Sequence, residues 1–133
     1  MAALDTNVLV RFLVQDDAPQ LAAARKLIRR CVNEGETIYV PVTVSLELEW
    51  VLRSNFGFEK PDVIRTLSQL LSSAELSFES EGALEAALSN YGQGAADYSD
   101  CLHVALAAQA GEKPLWTFDR AAAKVDGARL LSA

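Results

Sequence analysis

The chain has 133 residues, half of them hydrophobic, with 18 acidic against 12 basic side chains and a net charge of -6. That length suits one domain with a real core, and the apolar fraction excludes a disordered chain. The acidic balance excludes a basic nucleic-acid-binding module of the usual kind, although a bound cation can supply positive charge where phosphate must sit. Cys31 and Cys101 lie in apolar helical patterns without metal-ligand spacing, and read as buried thiols of a reducing compartment. No apolar run approaches the roughly 18 residues of a membrane span, and the first residues already read as a core strand. A soluble, cytoplasmic protein is the expectation.

Met1 to Leu4 is an apolar run that ends in Asp5, and a second apolar stretch, Val8 to Val14, follows at helical spacing. Gln15 to Ala18 is a polar turn, and Pro19 suits the first turn of a helix reaching about Asn33, with Leu21, Ala24, Leu27, Ile28 and Cys31 as its apolar stripe. The other face of that helix carries Arg25, Lys26, Arg29 and Arg30, a solvated stripe by default. Thr37 to Val40 reads as a short buried strand closed by Pro41. Thr43 to Asn55 is a predicted helix, with Gly57 as the turn residue after it. Lys60-Pro61 opens another helix, and the two form a helical hairpin. Glu75 to Phe78 alternates as a third strand, and Leu84 to Tyr91 marks a further helix. Gly92 to Ala96 is the most flexible linker in the sequence. It leads into Asp97, Asp100 and an alanine-rich helix to Gly111. Leu115 to Phe118 is a strand ending at Asp119, Ala121 to Lys124 is helical, and Arg129 to Leu131 is the last strand. Strands alternating with helices predict a three-layer α/β/α fold, with a central, mostly parallel sheet of four to five strands in a single domain over residues 1–133.

The acids stand out against this frame. Asp5 and Asp119 each end a strand and precede a helix, which is the carboxyl edge where parallel sheets place ligand sites. Each also fits a plain helix cap. Glu47 has Thr43, Val44, Trp50 and Val51 at helical neighbour positions and no cation, so it is expected to be desolvated or paired at a distance. Glu49 has Arg53 four residues on and reads as an ordinary exposed ion pair. Asp97 and Asp100 share one side of a helix start, Asp97 suiting the cap and Asp100 a site. His103, one turn on in an apolar helix, reads as structural. Four carboxylates gathered without arginines would repel one another, and an oxygen-only set of this kind suits Mg²⁺ or Mn²⁺.

Leu4 to Val8, Glu47 to Arg53, Asp97 to Leu102 and Thr117 to Arg120 resemble the motifs of PIN-domain ribonucleases, and in particular of the VapC-type toxins of bacterial toxin–antitoxin pairs. The resemblance runs from Leu4 to about Arg120. It implies Asp5, Glu47, Asp100 and Asp119 as an acidic quartet holding the metal, with Asp5 and Asp100 its most direct ligands. Thr6, Asn7, Asp97 and Thr117 would be supporting positions. It further implies endonucleolytic cleavage of RNA by a metal-activated water, a homodimer, and a small antitoxin that blocks the site. Two other readings compete. A phosphoaspartyl protein of receiver or haloacid-dehalogenase-like type also carries a strand-end aspartate and Mg²⁺. It would want a well-placed lysine, whereas Lys113 and Lys124 are poorly placed, and position 7 is Asn7 rather than a second aspartate. A non-catalytic module keeping the PIN fold is the other.

Overall fold

The computed structural model describes residues 2–133 and falls into two compact units, one ending at Glu79 and one running over Ser80–Ala133. The first unit holds a parallel three-stranded sheet in the order β1 (Ala2–Ala3), β2 (Ile38–Val40), β3 (Leu76–Phe78). Its register sets Ala2 beside Ile38 and Val40 beside Phe78. Four helices connect and flank these strands: α1 (Thr6–Val14), α2 (Ala18–Asn33), α3 (Val42–Phe56) and α4 (Lys60–Leu71). The expected bounds hold within a residue or two. Asp17 caps α2 by accepting the Gln20 amide at 3.0 Å, and Pro19 sits in the first turn, where its missing N–H costs nothing. Gly57 closes α3 at φ +68, a left-handed conformation that suits a residue without Cβ.

The core of this unit is apolar at helical and strand period: Leu9, Ile38, Val40, Leu48, Leu52, Val63 and Leu67 are almost fully buried. Each such leucine contributes about 1.5–3 kcal/mol relative to exposure. The start of α3 is unusual. Its N-cap is Pro41, which offers no side-chain acceptor, and the orphan amide of Val42 is taken instead by Glu79 Oε1 at 2.8 Å. Glu79 follows β3, and its own amide donates to the Val40 carbonyl at 2.9 Å. The end of one strand thus caps the helix that follows its neighbour.

The second unit contains α5 (Glu81–Gln93), α6 (Tyr98–Gln109), and a parallel pair formed by β4 (Leu115–Thr117) and β5 (Ala128–Leu130). Tyr91 and Tyr98 pack with tilted rings 5.6 Å apart. Gly127 adopts φ +98, a conformation that favours glycine, and a Cβ there would press on Val104 Cγ1 at 3.2 Å.

Three details differ from expectation. The segment Gly92–Ala96 is not a free linker: α5 continues through Gln93, and Ala96 is buried, so only Gly94 and Ala95 remain as the exposed break. Helical hydrogen bonding carries across a single glycine at modest cost. The helix expected at Ala121–Lys124 is one 3₁₀ turn, Ala122–Lys124. All described strands pair in parallel, but as a three-stranded and a two-stranded ladder. No described helix is long and apolar enough to cross a membrane.

Candidate active site

In the first unit, Leu4 continues the β1 ladder by donating its amide to the Tyr39 carbonyl at 3.0 Å, and Asp5 follows in extended conformation. Asp5 is the backbone N-cap of α1, and its carbonyl accepts the Val8 amide at 3.1 Å. Its side chain is exposed, and Oδ1 accepts the amide of Thr6 at 2.7 Å. The simple capping role is therefore real, but it engages the adjacent amide rather than one two or three residues on. Thr6 is 4% exposed, and its Oγ1 meets no hydrogen-bond partner among the described residues. A buried hydroxyl left that way costs about 1–3 kcal/mol. Asn7, next in the first turn, is exposed.

The two glutamates of α3 exchange the environments expected of them. The buried stripe of α3 is Val44, Ser45, Leu48, Glu49 and Leu52, and the exposed face is Thr43, Glu47, Trp50 and Ser54. Glu47 is thus exposed rather than desolvated, because its sequence neighbours Val44 and Leu48 turn inward while Trp50 does not. Glu49 is 3% exposed rather than on the surface. Arg53 Nε donates to its Oε2 at 2.8 Å and Nη2 to Oε1 at 3.4 Å, a two-pronged pair with the carboxylate inside and the guanidinium half outside. The spacing of four was right and the helix phase was not.

In the second unit, Asp97 occupies the N-cap of α6 with extended backbone, yet its side chain makes no cap bond, against the capping role the sequence favoured. Asp100 lies in the first turn, half-buried. Burial pushes its carboxyl above the usual range, and the charges of Asp119 and then Asp97 push it further, with His103 opposing. Asp97, Asp100 and Asp119 are therefore brought into one electrostatic neighbourhood. Asp119 is exposed; its Oδ1 accepts the Ala122 amide at 2.9 Å, and its own amide donates to Thr117 Oγ1 at 3.0 Å. Thr117 thereby sets the turn that aims Asp119. His103 is exposed and coupled to Asp100, not a core histidine.

Sequence reasoning passed over Arg11, which it counted only as part of an apolar helix. The signal was present: a cation interrupts the run Val8–Val14 one turn after Asn7. Its Nη1 bonds Asp16, and its Nε is buried without a partner among the described residues.

The donor chemistry of the acids fits a hard divalent cation: every candidate side chain offers oxygen, and the crowding at Asp100 is the repulsion a cation would relieve. Among the described residues no group of three or more His, Cys, Asp or Glu side chains is drawn close enough to enclose a metal ion.

The family model of the PIN domain matches residues 2–128. The VapC ribonuclease of Aquifex aeolicus (strain VF5) is 25% identical over 120 residues, covering 90% of this chain and 88% of that protein. The α/β architecture with parallel strands is the fold of that family and agrees with the three-layer expectation, and the phosphoaspartyl alternative gives way to it. Strand-end acids at Asp5 and Asp119, joined to a match that spans all but the first residue and the last few, make this chain a member of the PIN domain family.

Proposed function

We propose that this protein is a divalent-cation-dependent endoribonuclease of toxin type, a single domain over residues 1–133. Asp5, Glu47, Asp100 and Asp119 form its acidic quartet, with Thr6, Asn7, Asp97 and Thr117 around them. The observation that carries this reading is the crowding at Asp100, whose carboxyl is held up by burial and by Asp119 and Asp97. Such crowding of carboxylates is what a bound cation would relieve. The relative named a ribonuclease supports RNA as the substrate.

The quartet would hold Mg²⁺ or Mn²⁺, which when bound supplies charge stabilisation to a phosphodiester under attack. The chain's own amides aim two of these acids. The Thr6 amide fixes one oxygen of Asp5, and the Ala122 amide fixes one oxygen of Asp119. Glu47, exposed on α3, keeps its carboxylate available to orient the attacking water or accept its proton.

The same reading includes a cognate antitoxin that brings a basic group to the acids, cytoplasmic action, and a homodimer. Exposed Trp116, Phe118, Leu130 and Leu131, on and beside β4 and β5, support the dimer as surface that a monomer would leave wet. Light scattering that gives a monomer over a wide concentration range would remove it. For the activity, purified protein is incubated with structured RNA. Cleavage in Mn²⁺ that stops in EDTA and in Asp5→Ala is the expected result. Cleavage surviving both removes the metal mechanism, and RNA binding without any cleavage favours the non-catalytic module.

A further inference from the structure

Helix α3 turns one narrow strip of side chains to solvent: Thr43, Glu47, Trp50 and Ser54, at spacings of four, three and four. Such spacings keep all four on one side of the helix, each one turn from the next. Trp50 is 55% exposed, and among the described residues it is the only large apolar side chain of α3 open to solvent to that degree.

The strip suits a nucleobase better than a protein. A protein contact needs contiguous apolar area, whereas this single indole is bordered by two hydroxyls and a carboxylate. A base needs one ring face to stack on and polar groups near its edges, and single-stranded RNA is bound in that way. The indole is also well aimed. Helical side chains lean over the turn before their own Cα, which directs Trp50 toward Glu47. Three residues of helix separate the two by about 4.5 Å along the axis, a short step beside a nucleotide. The strip carries no cation, because Arg53, one turn beyond Trp50, is held by Glu49. What it offers a strand is therefore a surface for a base and not a charge for a phosphate.

We infer that Trp50 is the stacking platform for one base of the single-stranded RNA substrate, and that it lays the strand beside Glu47. This rests on the ribonuclease reading above, in which Glu47 faces the attacking water. Every base has a π face, so the contact sets where the strand lies and not which sequence is cut.

Two measurements test the platform without knowledge of the cut site. The chain has two tryptophans, so Trp116→Phe leaves Trp50 as the only indole. Its fluorescence is expected to be quenched by single-stranded RNA of mixed sequence in Mg²⁺, and not by inorganic polyphosphate of the same charge. In cleavage assays with Mn²⁺, Trp50→Ala is expected to raise KM about tenfold, within the range for losing one stacked base. Its kcat should stay near wild type, and the salt dependence of KM should not change, since no phosphate contact is lost. Trp50→Phe keeps a ring and most of the affinity, while Trp50→Leu keeps apolar bulk without a ring and behaves as the alanine variant. A wild-type KM in Trp50→Leu, or a Trp50 signal that RNA does not change, overturns the platform even where wild type cleaves RNA. An unchanged KM in Trp50→Ala with lost self-association in light scattering also overturns it, and assigns the strip to a second copy of the chain. RNA-specific quenching with no cleavage in Mn²⁺ leaves the platform standing and overturns the ribonuclease instead. If Trp50→Ala fails to fold, the quenching and the comparison of Trp50→Phe with Trp50→Leu decide the matter.

Discussion

Arg53 reaches back one turn of α3 to hold the carboxylate of Glu49 at 2.8 Å, at a position where Glu49 is 3% exposed. This pair is structural. Arg53→Ala would remove the charge partner of a buried carboxylate, and a loss of about 1–3 kcal/mol in urea unfolding is expected. Replacing both partners, Glu49→Leu with Arg53→Ala, recovers most of that loss, because the desolvated charge goes with its partner. A double variant no more stable than Arg53→Ala would show that the pair is not the stabilising unit.

Glu47, two residues earlier, behaves in the opposite sense. It is exposed, so Glu47→Gln is expected to leave the thermal midpoint nearly unchanged while RNA cleavage falls by at least about a hundredfold, the lower end for losing a positioned acid–base group. Cleavage rates and melting curves on the same preparation check both halves. Full activity in Glu47→Gln would take this residue out of the quartet.

The contrast between these two glutamates marks how far the sequence could be read. The order of elements is legible because hydrophobic period, prolines at helix starts and Gly57 at a helix end are all local signals, and local signals decide local structure. The strand-end placing of Asp5 and Asp119 is legible for the same reason. The phase of α3 is not, since Val44, Trp50 and Val51 make the face around Glu47 look apolar, and only packing chooses between that face and the one of Leu48 and Leu52. Nor does any local signal reveal that Asp119 acts on the charge of Asp100, or that Glu79 caps α3 from a distant strand. Those facts belong to pairs of residues far apart in sequence.

Asp100 makes a pH prediction. Burial first, and then Asp119 and Asp97, raise its carboxyl in the folded state above its unfolded value. A raised acid favours folding below the unfolded value, and that contribution is lost as pH rises through the folded one. At neutral pH the ionised group therefore opposes folding. Asp100→Asn is expected to melt at the same temperature as wild type or higher without metal, with the difference shrinking toward acid. Mg²⁺ should raise the wild-type midpoint by mass action and leave Asp100→Asn unmoved. A large fall in metal-free stability would make Asp100 a structural residue of α6.

Glu79 is a second structural acid. Its bond to the Val42 amide does for α3 what Pro41 cannot. Glu79→Ala should cost about 1 kcal/mol, within the range for removal of a helix cap, and Glu79→Gln less, since an acceptor oxygen remains. Amide exchange at Val42 should quicken in the alanine variant. Unchanged exchange there would show that another acceptor takes over.

Each compact unit contains one cysteine, Cys31 on α2 and Cys101 on α6, at 3% and 0% exposure and in no disulfide. The molecule thus carries a native pair of opening reporters. A thiol-reactive label can reach either sulfur only when its surroundings part, so its rate measures the population of open states at that place. Labelling followed by peptide mass spectrometry would time the two units separately in one tube, with no substitution at all. Equal rates would mean that the units open as one cooperative body. Unequal rates would identify the softer one.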